Sequence, residues 1–427
     1  MEIAIAIILL VLFLIGGMPV GIALGVSGSV GLWLTVGTDS MLGILRTAPY
    51  EEASSFVLTT IPMFILMAEF MNQGQMTQKL FSSAYRWFGH LKGGMAISTV
   101  MASAGLAAVS GSSTASAAGM SSIAVPEMRK YGYDDKVSVG VVSVAGTLAF
   151  IIPPSTILII YGILTESSIA KLFVAGVIPG VITVIGYCLA IYLWVRRRPE
   201  VAPSIGRFGW KERFSSLQGI WPVLLLALAV IVAIYTGFVT PTEAGAFGSF
   251  CALMIVIVLR KINYEGIKKA LSSTIQITAK IFVIIIGAMI FGYFLTITNS
   301  IQNIINAIQS MDVNRWVILI IIVASYLLLG CVMDQLAIMF LTIPLTFPVI
   351  IALGFDPIWY GIVIAKTVEI GLATPPLGLN IFVASSAANV PLGVGFRGAA
   401  RLIVADFIIL VILIAFPVIV TWLPSLM

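Results

Sequence analysis

Two pairs of adjacent prolines interrupt apolar runs of this sequence, Pro153 with Pro154 and Pro375 with Pro376. Each proline lacks a backbone N–H and clashes with the preceding turn, so neither run can continue as one regular helix. In hydrocarbon, the carbonyls that a break frees need other partners. The pairs lie 222 residues apart (375 − 153 = 222), and this offset organises the whole chain.

Other backbone-breaking residues recur at the same offset. They are Pro19 and Pro241, Pro126 and Pro348, Gly132 and Gly354, Asp134 and Asp356, and Gly176 and Gly398. The backbone-breaking residues match between the two halves, while most apolar residues do not. The pattern therefore predicts a repeated fold whose side-chain packing differs between the two copies. The first repeat is predicted to cover residues 1–205 and the second residues 223–427, with a cytoplasmic linker at 206–222.

The composition is that of an all-α polytopic membrane protein. The chain is 60% hydrophobic and 10% charged, whereas a soluble domain carries about a quarter charged residues. The first apolar segment lacks a basic start and a small-residue cleavage site, so we interpret it as a retained first helix rather than a signal peptide. The net charge of +5 does not indicate nucleic acid, because the basic residues lie in short loops between apolar runs.

Several chemistries have little to be built from. The chain has three cysteines, all in apolar runs, and one histidine, His90. This excludes a disulfide framework and leaves no basis for a zinc site or a Ser/His/Asp triad. No nucleotide-binding loop of the form G-x-x-x-x-G-K-[ST] is present, so no ATP-driven motor and no resident cofactor are expected.

Each repeat is predicted to cross the membrane five times and to contain one re-entrant helical hairpin. In the first repeat we predict spans at 3–15, 19–36 and 56–70 with a kink at Pro62, a polar loop at 37–55, an interfacial segment at 76–90, a hairpin at 94–125, half-helices at 137–149 and 156–164, and a last span at 169–195. In the second we predict spans at 220–235, 243–259 and 275–297, a hairpin at 316–351, half-helices at 358–372 and 379–388, and a last span at 402–423. A single long tilted helix is the alternative for residues 94–125.

An odd number of crossings inverts the second repeat relative to the first, as in many secondary transporters. With the linker in the cytoplasm, eighteen Lys and Arg residues are cytoplasmic, three lie outside and two lie within spans, which accounts for all 23. This bias fits the positive-inside rule and places both termini outside. The predicted parts are scaffold helices at 1–92 and 223–300, transport parts at 93–165 and 315–390, and last spans at 169–198 and 397–424.

The two hairpin tips and the two proline breaks are predicted to meet near the middle of the membrane. Carbonyl and hydroxyl oxygens there suit Na⁺, and the N–H groups of helix starts suit a carboxylate. The predicted sodium ligands are Ser110, Gly111, Ser112, Ser113, Phe150, Ile152 and Pro153 in the first repeat and Gly330, Cys331, Met333, Asp334, Ala373, Thr374 and Pro375 in the second, where Gln335 also belongs to the tip. The predicted substrate contacts are Thr114, Pro154, Ser155, Thr156, Pro376, Gly378 and Asn380.

Each candidate has a purely structural alternative. The Ser-rich segment 110–116 also suits tight helix packing in membranes, and Asp334 also suits a helix N-cap. Lys366 and Glu369 are three apart on one helix, so they are expected either to neutralise each other or to leave Lys366 to hold an anion. A solvated or capping role near span ends is expected for Glu69, Glu243 and Asp406, and Lys280 is expected to reach toward the interface.

Four motifs follow one another along the chain. They are Ser110-Gly111-Ser112-Ser113-Thr114-Ala115, Ile152-Pro153-Pro154-Ser155, Val239-Thr240-Pro241-Thr242-Glu243 and Ala373-Thr374-Pro375-Pro376-Leu377-Gly378. As an ordered set they resemble the large membrane subunit of TRAP (tripartite ATP-independent periplasmic) transporters, over essentially the full length. The fold also resembles the divalent-anion/sodium symporters.

The resemblance implies Na⁺-driven uptake of an organic acid across the bacterial inner membrane by an elevator mechanism. C4-dicarboxylates and sialic acid are substrates of the family, and the resemblance leans to sialic acid. It also implies two partners, a small four-helix membrane subunit, expected here as a separate chain, and a periplasmic substrate-binding protein. A stand-alone symporter without a binding protein is the alternative. A channel or an intramembrane enzyme is disfavoured by the paired broken helices and by the lack of a convergent His, Asp or Glu pair in the spans.

Overall fold

The computed structural model describes residues 2–203, 206–310 and 313–427. In these residues the chain forms twenty α-helices and four short 3₁₀ turns, with no β-strand. The predicted all-α fold is therefore confirmed. Most helices are strongly apolar, and their buried faces form one continuous core.

The first half of the chain contains nine helices within the described residues. They are α1 (Glu2–Ile15), α2 (Val20–Ala53), α3 (Thr60–Gln73), α4 (Met76–Phe88), α5 (Gly94–Ser110), α6 (Ser113–Lys130), α7 (Asp135–Gly146), α8 (Thr156–Leu164) and α9 (Ile169–Arg197). Short 3₁₀ turns precede α3 (Phe56–Thr59), follow α7 (Thr147–Phe150) and follow α9 (Pro199–Val201).

The second half begins after the linker. Its helices are α10 (Trp210–Leu217), α11 (Trp221–Tyr235), α12 (Pro241–Val258), α13 (Tyr264–Ile297), α14 (Ser300–Ser310), α15 (Arg315–Gly330), α16 (Gln335–Ala352), α17 (Pro357–Leu372), α18 (Leu379–Ala388), α19 (Leu392–Ala415) and α20 (Val418–Thr421). A last 3₁₀ turn spans Pro424–Leu426.

Helix bounds recur at the offset of 222 residues. The helices α6 and α16 differ by 222 at both ends. Just before α7 and α17, Gly132 and Gly354 have φ of 74° and 75°, and Asp134 and Asp356 then cap the two helices with their side chains. Both turns use glycine where a side chain would be strained. Both proline pairs, in turn, separate a longer helix from a shorter one.

Fewer helices than the ten predicted crossings pass a test of length and apolar composition. Within the described residues six do, or seven if the bent pair α10 and α11 is one span. Helix α1 has 14 residues and α11 has 15, about 21 to 23 Å at 1.5 Å per residue, which is less than the ~30 Å of hydrocarbon. The proline pairs divide two further crossings into shorter helices. Helix α16, predicted as a hairpin arm, passes the test.

Several predicted boundaries were wrong. The polar loop at 37–55 is mostly helical, because α2 resumes after Gly37 and packs Met41, Ile44 and Leu45 against the core. Pro62 does not kink a span; it lies in the first turn of α3, where a missing N–H costs nothing. Residues 260–274, which lie between two predicted spans of the second repeat, belong largely to α13, and the linker contains α10.

One helix was missed by the sequence analysis. The amphipathic helix α14 follows α13 in the second repeat, and the offset of 222 places it opposite α4. Applying the offset to the predicted interfacial segment would therefore have found it.

Close packing joins the two repeats. Helix α2 packs along α13 with backbone against backbone, since a Cβ added to Gly287 would lie 1.9 Å from the carbonyl oxygen of Gly21. Small residues allow such approach between membrane helices. Helix α3 packs on α12, while α7 packs on α19 and α6 on α18. Elements of both repeats therefore contribute to every part of the fold that holds a predicted site residue.

Candidate functional site

The first hairpin tip is a two-residue turn between α5 and α6. Gly111 has φ 56°, and Ser112 follows in an extended conformation and caps α6, accepting a hydrogen bond from the Ala115 N–H at 3.4 Å. The hydroxyls of Ser110 and Ser116 are 2.7 Å apart across the tip. The single-helix alternative for residues 94–125 is thereby excluded, and the tip presents hydroxyl and carbonyl oxygens.

The first tip lies directly on the first proline break. A Cβ added to Gly111 would lie 2.9 Å from Thr156 Oγ1 and 3.4 Å from the Pro154 carbonyl oxygen. At the break the Ser155 hydroxyl donates to the Phe150 carbonyl at 2.6 Å and caps α8. The predicted contact between this tip and this break is therefore present.

The second tip lies on the second break in the same way. The Leu377 N–H donates to the Cys331 carbonyl at 3.2 Å. A Cβ added to Gly330 would lie 2.8 Å from the Gly371 Cα, so α15 and α17 touch through their backbones. Asp334 caps α16, accepting from the Leu336 N–H at 3.1 Å, which confirms the N-cap reading of this residue.

The two tips meet at the first turns of α6 and α16. The Ser113 hydroxyl lies 3.3 Å from Gln335 Oε1 and 3.4 Å from Asn380 Oδ1. All three side chains are buried. Ser113 and Gln335 are separated by 222 residues, so equivalent positions of the two repeats touch. In the described part of the chain the amide nitrogen of Asn380 has no hydrogen-bond partner.

This arrangement brings four helix starts together. Helices α6, α8 and α16 begin at side-chain caps, and α18 begins after Gly378, which has φ 52°. Unpaired N–H groups and the positive end of the dipole make each helix start attractive to an anion. The unpartnered Asn380 amide adds a side-chain donor at the same point.

Other predicted residues contribute through their backbone or lie apart. The Ile152 side chain packs against Gly180 on α9, which leaves only its carbonyl for a ligand. The Thr374 hydroxyl donates to the Ile370 carbonyl at 2.7 Å. Pro375 and Pro376 are exposed. The remaining predicted residues lie within the same tips and breaks: Thr114, Pro153, Met333 and Ala373.

The donor set suits a hard monovalent cation. The part of the chain that the structure describes holds no group of three or more His, Cys, Asp or Glu side chains arranged to bind a metal. The tips and breaks instead supply hydroxyl and carbonyl oxygens, which are the ligands that alkali cations prefer.

A buried ionic cluster was missed by the sequence analysis. On α17, Lys366 forms ion pairs with Glu369 at 3.1 Å and with Asp406 of α19. All three side chains are fully buried. The Tyr187 hydroxyl of α9 lies 2.6 Å from Asp406 Oδ1 and 2.9 Å from Glu369 Oε1. The hydroxyl of Thr147 lies 2.8 Å from Glu369 Oε1.

This cluster corrects three expectations. Glu369 and Asp406 converge on Tyr187 within apolar helices, where no pair of acidic residues was expected to converge. Asp406 is neither solvated nor a cap, because α19 begins at Leu392 and places it in the middle of a packed helix. Lys366 does not face an anion at the tips, because its ammonium group contacts the carboxyl groups of Glu369 and Asp406. The predicted contact between Lys366 and Glu369 is therefore present. The offset of 222 between Thr147 and Glu369 was the signal that would have pointed to this contact.

The remaining charged residues divide between caps and surface positions. Glu243 forms a capping box with Thr240 at the start of α12, as expected. Glu69 does not cap a helix; it is half-buried and accepts a hydrogen bond from Ser273 at 2.9 Å. Lys280 is exposed.

The single histidine lies outside the spans, between α4 and α5. Its ring faces Arg213, with His90 Nδ1 3.3 Å from the guanidinium. Partial burial, together with Arg213 and Arg207, lowers the pKa of His90. The ring is therefore neutral at pH 7 and packs at the linker helix α10 rather than at the tips.

The two halves have the same helix order. In each half a polar hairpin tip contacts a proline-broken helix among apolar spans. These features define a membrane transporter of the repeated-hairpin class. The sequence matches the family model of the tripartite ATP-independent periplasmic transporter, DctM component, over residues 7–419. The chain belongs to this family of large permease subunits, as the motifs indicated.

Named relatives agree with this assignment. The chain is 35% identical to the C4-dicarboxylate TRAP transporter large permease protein DctM of Pseudomonas aeruginosa, covering 94% of this chain and 92% of the relative. It is 31% identical to the sialic acid TRAP transporter large permease protein SiaM of Vibrio cholerae, covering 97% and 96%. Both relatives are transport permeases and not enzymes.

A solved structure shares the fold. The YdaH transporter of Alcanivorax borkumensis superimposes with a TM-score of 0.66 over 89% of this chain and 90% of that one, at 14% sequence identity. At this identity the likeness concerns the fold alone.

Proposed function

We propose that this chain is the membrane subunit that carries an organic acid carboxylate, a C4-dicarboxylate or sialic acid, into the cell together with Na⁺. The relatives named for these two substrates have similar identities to this chain, so the substrate class rests on the carboxylate that both share. The observation that carries the proposal is the meeting of the two tips and two breaks around Ser113, Gln335 and Asn380.

In this proposal the tip hydroxyls and the carbonyls of the breaks hold Na⁺, and the converging helix starts with Asn380 hold the carboxylate. Neutral oxygen ligands bind Na⁺ without trapping it. A carboxylate at the helix starts supplies the negative charge that those ends favour. Each ligand is then bound more tightly in the presence of the other, because their charges attract across a site of low dielectric.

We further propose an elevator motion of the transport parts against the scaffold. A cavity of about 680 Å³ separates elements of the two proposed parts. Its walls include Leu58 before α3 and Ile285 and Gly292 on α13 on one side, and Ile163 on α8 and Phe340 on α16 on the other. No predicted sodium or substrate residue lines it, so we interpret it as space at the sliding interface and not as the substrate site.

The partners follow from the same proposal. A small four-helix membrane subunit is expected to pack on the scaffold, and a periplasmic binding protein is expected to deliver the substrate. The distribution of Lys and Arg favours an orientation in the inner membrane with both termini in the periplasm. Labelling of single cysteines introduced at each end, from outside intact cells, tests this orientation.

The central test is uptake into proteoliposomes that contain this chain and its small subunit. Labelled succinate and sialic acid are compared, with and without the binding protein and an inward Na⁺ gradient. Uptake of one acid that requires both additions is expected. Uptake that needs Na⁺ but no binding protein would instead establish a stand-alone symporter, and uptake indifferent to Na⁺ would refute the coupling.

Two variants test the sodium sites. Ser112→Ala and Thr374→Ala each remove one tip or break hydroxyl, and each is expected to raise the Na⁺ concentration for half-maximal uptake. Ser122→Ala removes an exposed hydroxyl on α6 that bonds only the Gly119 carbonyl and serves as the matched control. Unchanged Na⁺ dependence in both test variants would remove these hydroxyls from the proposed sites.

A further inference from the structure

The buried cluster of Lys366, Glu369, Asp406 and Tyr187 carries two carboxylates against one ammonium group. All four side chains are fully buried. A buried charge without a partner is strongly unfavourable, and a buried group then neutralises itself. If both acids were ionised, the cluster would hold one surplus negative charge inside the helix bundle.

The cluster also contains more short oxygen–oxygen contacts than hydroxyl protons that could form hydrogen bonds in them. Tyr187 has one hydroxyl proton and lies within 2.9 Å of both Asp406 and Glu369. Thr147 has one hydroxyl proton and lies 2.6 Å from the Val144 carbonyl and 2.8 Å from Glu369. Each hydroxyl can donate once. If Tyr187 donates to Asp406 and Thr147 to Val144, the contacts of Glu369 Oε1 with these two hydroxyls lack a proton, and only Lys366, at 3.1 Å, donates to it.

The two acids have different surroundings, which decides where an added proton resides. Both oxygens of Asp406 lie within 2.8 Å of the Tyr187 hydroxyl, and Lys366 also pairs with Oδ1. In the described residues Glu369 Oε2 has no hydrogen-bond partner. An unpartnered oxygen costs less on a neutral carboxyl group than on a carboxylate. Asp406 is thus the better anion and Glu369 the better acid.

We propose that this cluster is a proton-binding site, in which Glu369 holds one proton and donates it to Tyr187, which donates to the Asp406 carboxylate paired with Lys366. The cluster is then neutral, and Tyr187 has its own proton for the contact with Asp406 and the proton of Glu369 for the contact with Glu369. The site does not depend on Na⁺ or on the transported acid, so it stands apart from the proposed function.

Within the described residues, the other charged groups on the helices that pack on α17 lie at the surface or have partners of their own. On α9, Lys171, Arg196 and Arg197 are exposed, and on α19, Arg397 donates to the Gly393 carbonyl and Arg401 stacks on Trp194. Helices α16, α18 and α20 carry no charged side chain. On α8, Tyr161 donates to the Pro357 carbonyl at the other end of α17. On α15, Tyr326 is hydrogen-bonded with Thr346, and Arg315 stacks on aromatic rings at its start.

The test is stability against pH in the purified complex of this chain and its small subunit. Because the folded protein holds a proton that the unfolded chain releases, stability must fall as pH rises. From about pH 5 to about pH 7 the melting temperature of the wild type is expected to fall by roughly 2 °C per pH unit more than that of Glu369→Gln. The amide of glutamine imitates the protonated acid and cannot lose the proton.

Infrared spectroscopy provides a second readout that needs no unfolding. At neutral pH the wild type is expected to show a protonated carboxyl band that is absent from Glu369→Gln. Glu243→Gln, which changes an exposed capping acid of α12, is the matched control and keeps both the band and the pH slope. If Glu369→Gln does not fold, Asp406→Asn, which also balances the charges, replaces it in the melting series.

Two outcomes would overturn the proposal. Equal pH slopes in the wild type and Glu369→Gln, with no lost carboxyl band, would mean that Glu369 is ionised. A larger stabilisation of the wild type than of Glu369→Gln by added Na⁺ would mean that the cluster binds a metal cation instead of a proton. Uptake plays no part in either readout, so failure here is distinguishable from failure of the transport proposal.

Discussion

The two repeats share a backbone plan but differ in how they close their tips. At the first break Pro153 and Pro154 are buried, whereas at the second Pro375 and Pro376 are exposed. The first tip is tied by hydroxyl contacts within itself, while the second is tied to its break by a backbone hydrogen bond to Cys331. Equivalent elements thus form one enclosed and one open half of the same site.

The ionic cluster shows the same asymmetry more sharply. The residues 222 positions before Lys366, Glu369 and Asp406 are Val144, Thr147 and Val184. The first repeat therefore packs with apolar and hydroxyl groups where the second places three ionisable side chains. A shared backbone fixes where side chains meet, but it does not fix what chemistry they bring.

The largest effect is expected from Lys366→Met, which makes the second repeat as apolar at this position as the first. It leaves Asp406 as a buried charge without a partner, and we expect a loss of about 3–5 kcal/mol of stability. Thermal melting of the purified complex measures it. Lys280→Met, at an exposed position of α13, is the control.

Because Glu369 is proposed to be neutral, combining Lys366→Met with Asp406→Asn should recover most of the lost stability. Failure to recover it would contradict that charge assignment.

A smaller effect is expected where the second hairpin packs on its broken helix. Gly330 and Gly371 touch through their backbones, whereas the first repeat has Ala108 and Ala149 at these positions. Gly330→Ala inserts a methyl group where no space exists and is expected to cost about 1–3 kcal/mol. Gly119→Ala on α6, where an added Cβ meets no atom within 4 Å, should be neutral or stabilising. Equal melting temperatures for the two variants would show that the second hairpin is not packed tightly against α17 at Gly330.

The fold was largely visible in the sequence because its main breaks are made by paired prolines. Pro153–Pro154 and Pro375–Pro376 interrupt their helices, whereas the single prolines Pro126 and Pro348 remain inside α6 and α16. Asp134 and Asp356 announce the next helix starts. These signals are local, so they survive without knowledge of the packing. The boundaries that failed, such as the loop at 37–55, depend on side chains that become helical by packing on the core.

The candidate site was only partly visible. The tips and breaks were located from glycine, serine and proline, but the partner of each polar group was not. Asp406 is the clearest case, because it lies near the start of the predicted span at 402–423 and only the packing of α19 on α9 and α17 makes it buried. The bridge from Ser113 to Gln335 and Asn380 likewise depends on the crossing of helices far apart in sequence.

A functional difference between the repeats is expected at the start of α18. Asn380 has an unpartnered amide at the point where the tips meet, whereas Leu158 occupies the equivalent position of α8. Asn380→Ala is expected to raise the half-saturating concentration of the organic acid roughly tenfold, equal to one lost hydrogen bond to a charged group. Ser385→Ala on the same helix removes another buried, unpartnered polar atom and is the control. If both variants take up the acid equally well, the carboxylate does not bind at Asn380.

The smallest effect is expected at the cap of the second tip. Ser112 caps α6 with a hydroxyl and Asp334 caps α16 with a carboxylate. Asparagine caps a helix as well as aspartate does, so Asp334→Asn is expected to change stability by no more than about 0.5 kcal/mol. Asp334→Ala, which removes the cap, should cost about 1 kcal/mol of stability.

Na⁺ titration of uptake then distinguishes a capping role of Asp334 from a role as sodium ligand. Because the structure accounts for Asp334 as a cap, the half-saturating Na⁺ concentration of Asp334→Asn should stay within about twofold of the wild type, as for a residue without a charged contact to the ion. A much larger increase in the half-saturating Na⁺ concentration, with stability unchanged, would show that the Asp334 carboxylate is a sodium ligand. The second tip would then bind Na⁺ with a charged group where the first tip uses hydroxyl groups.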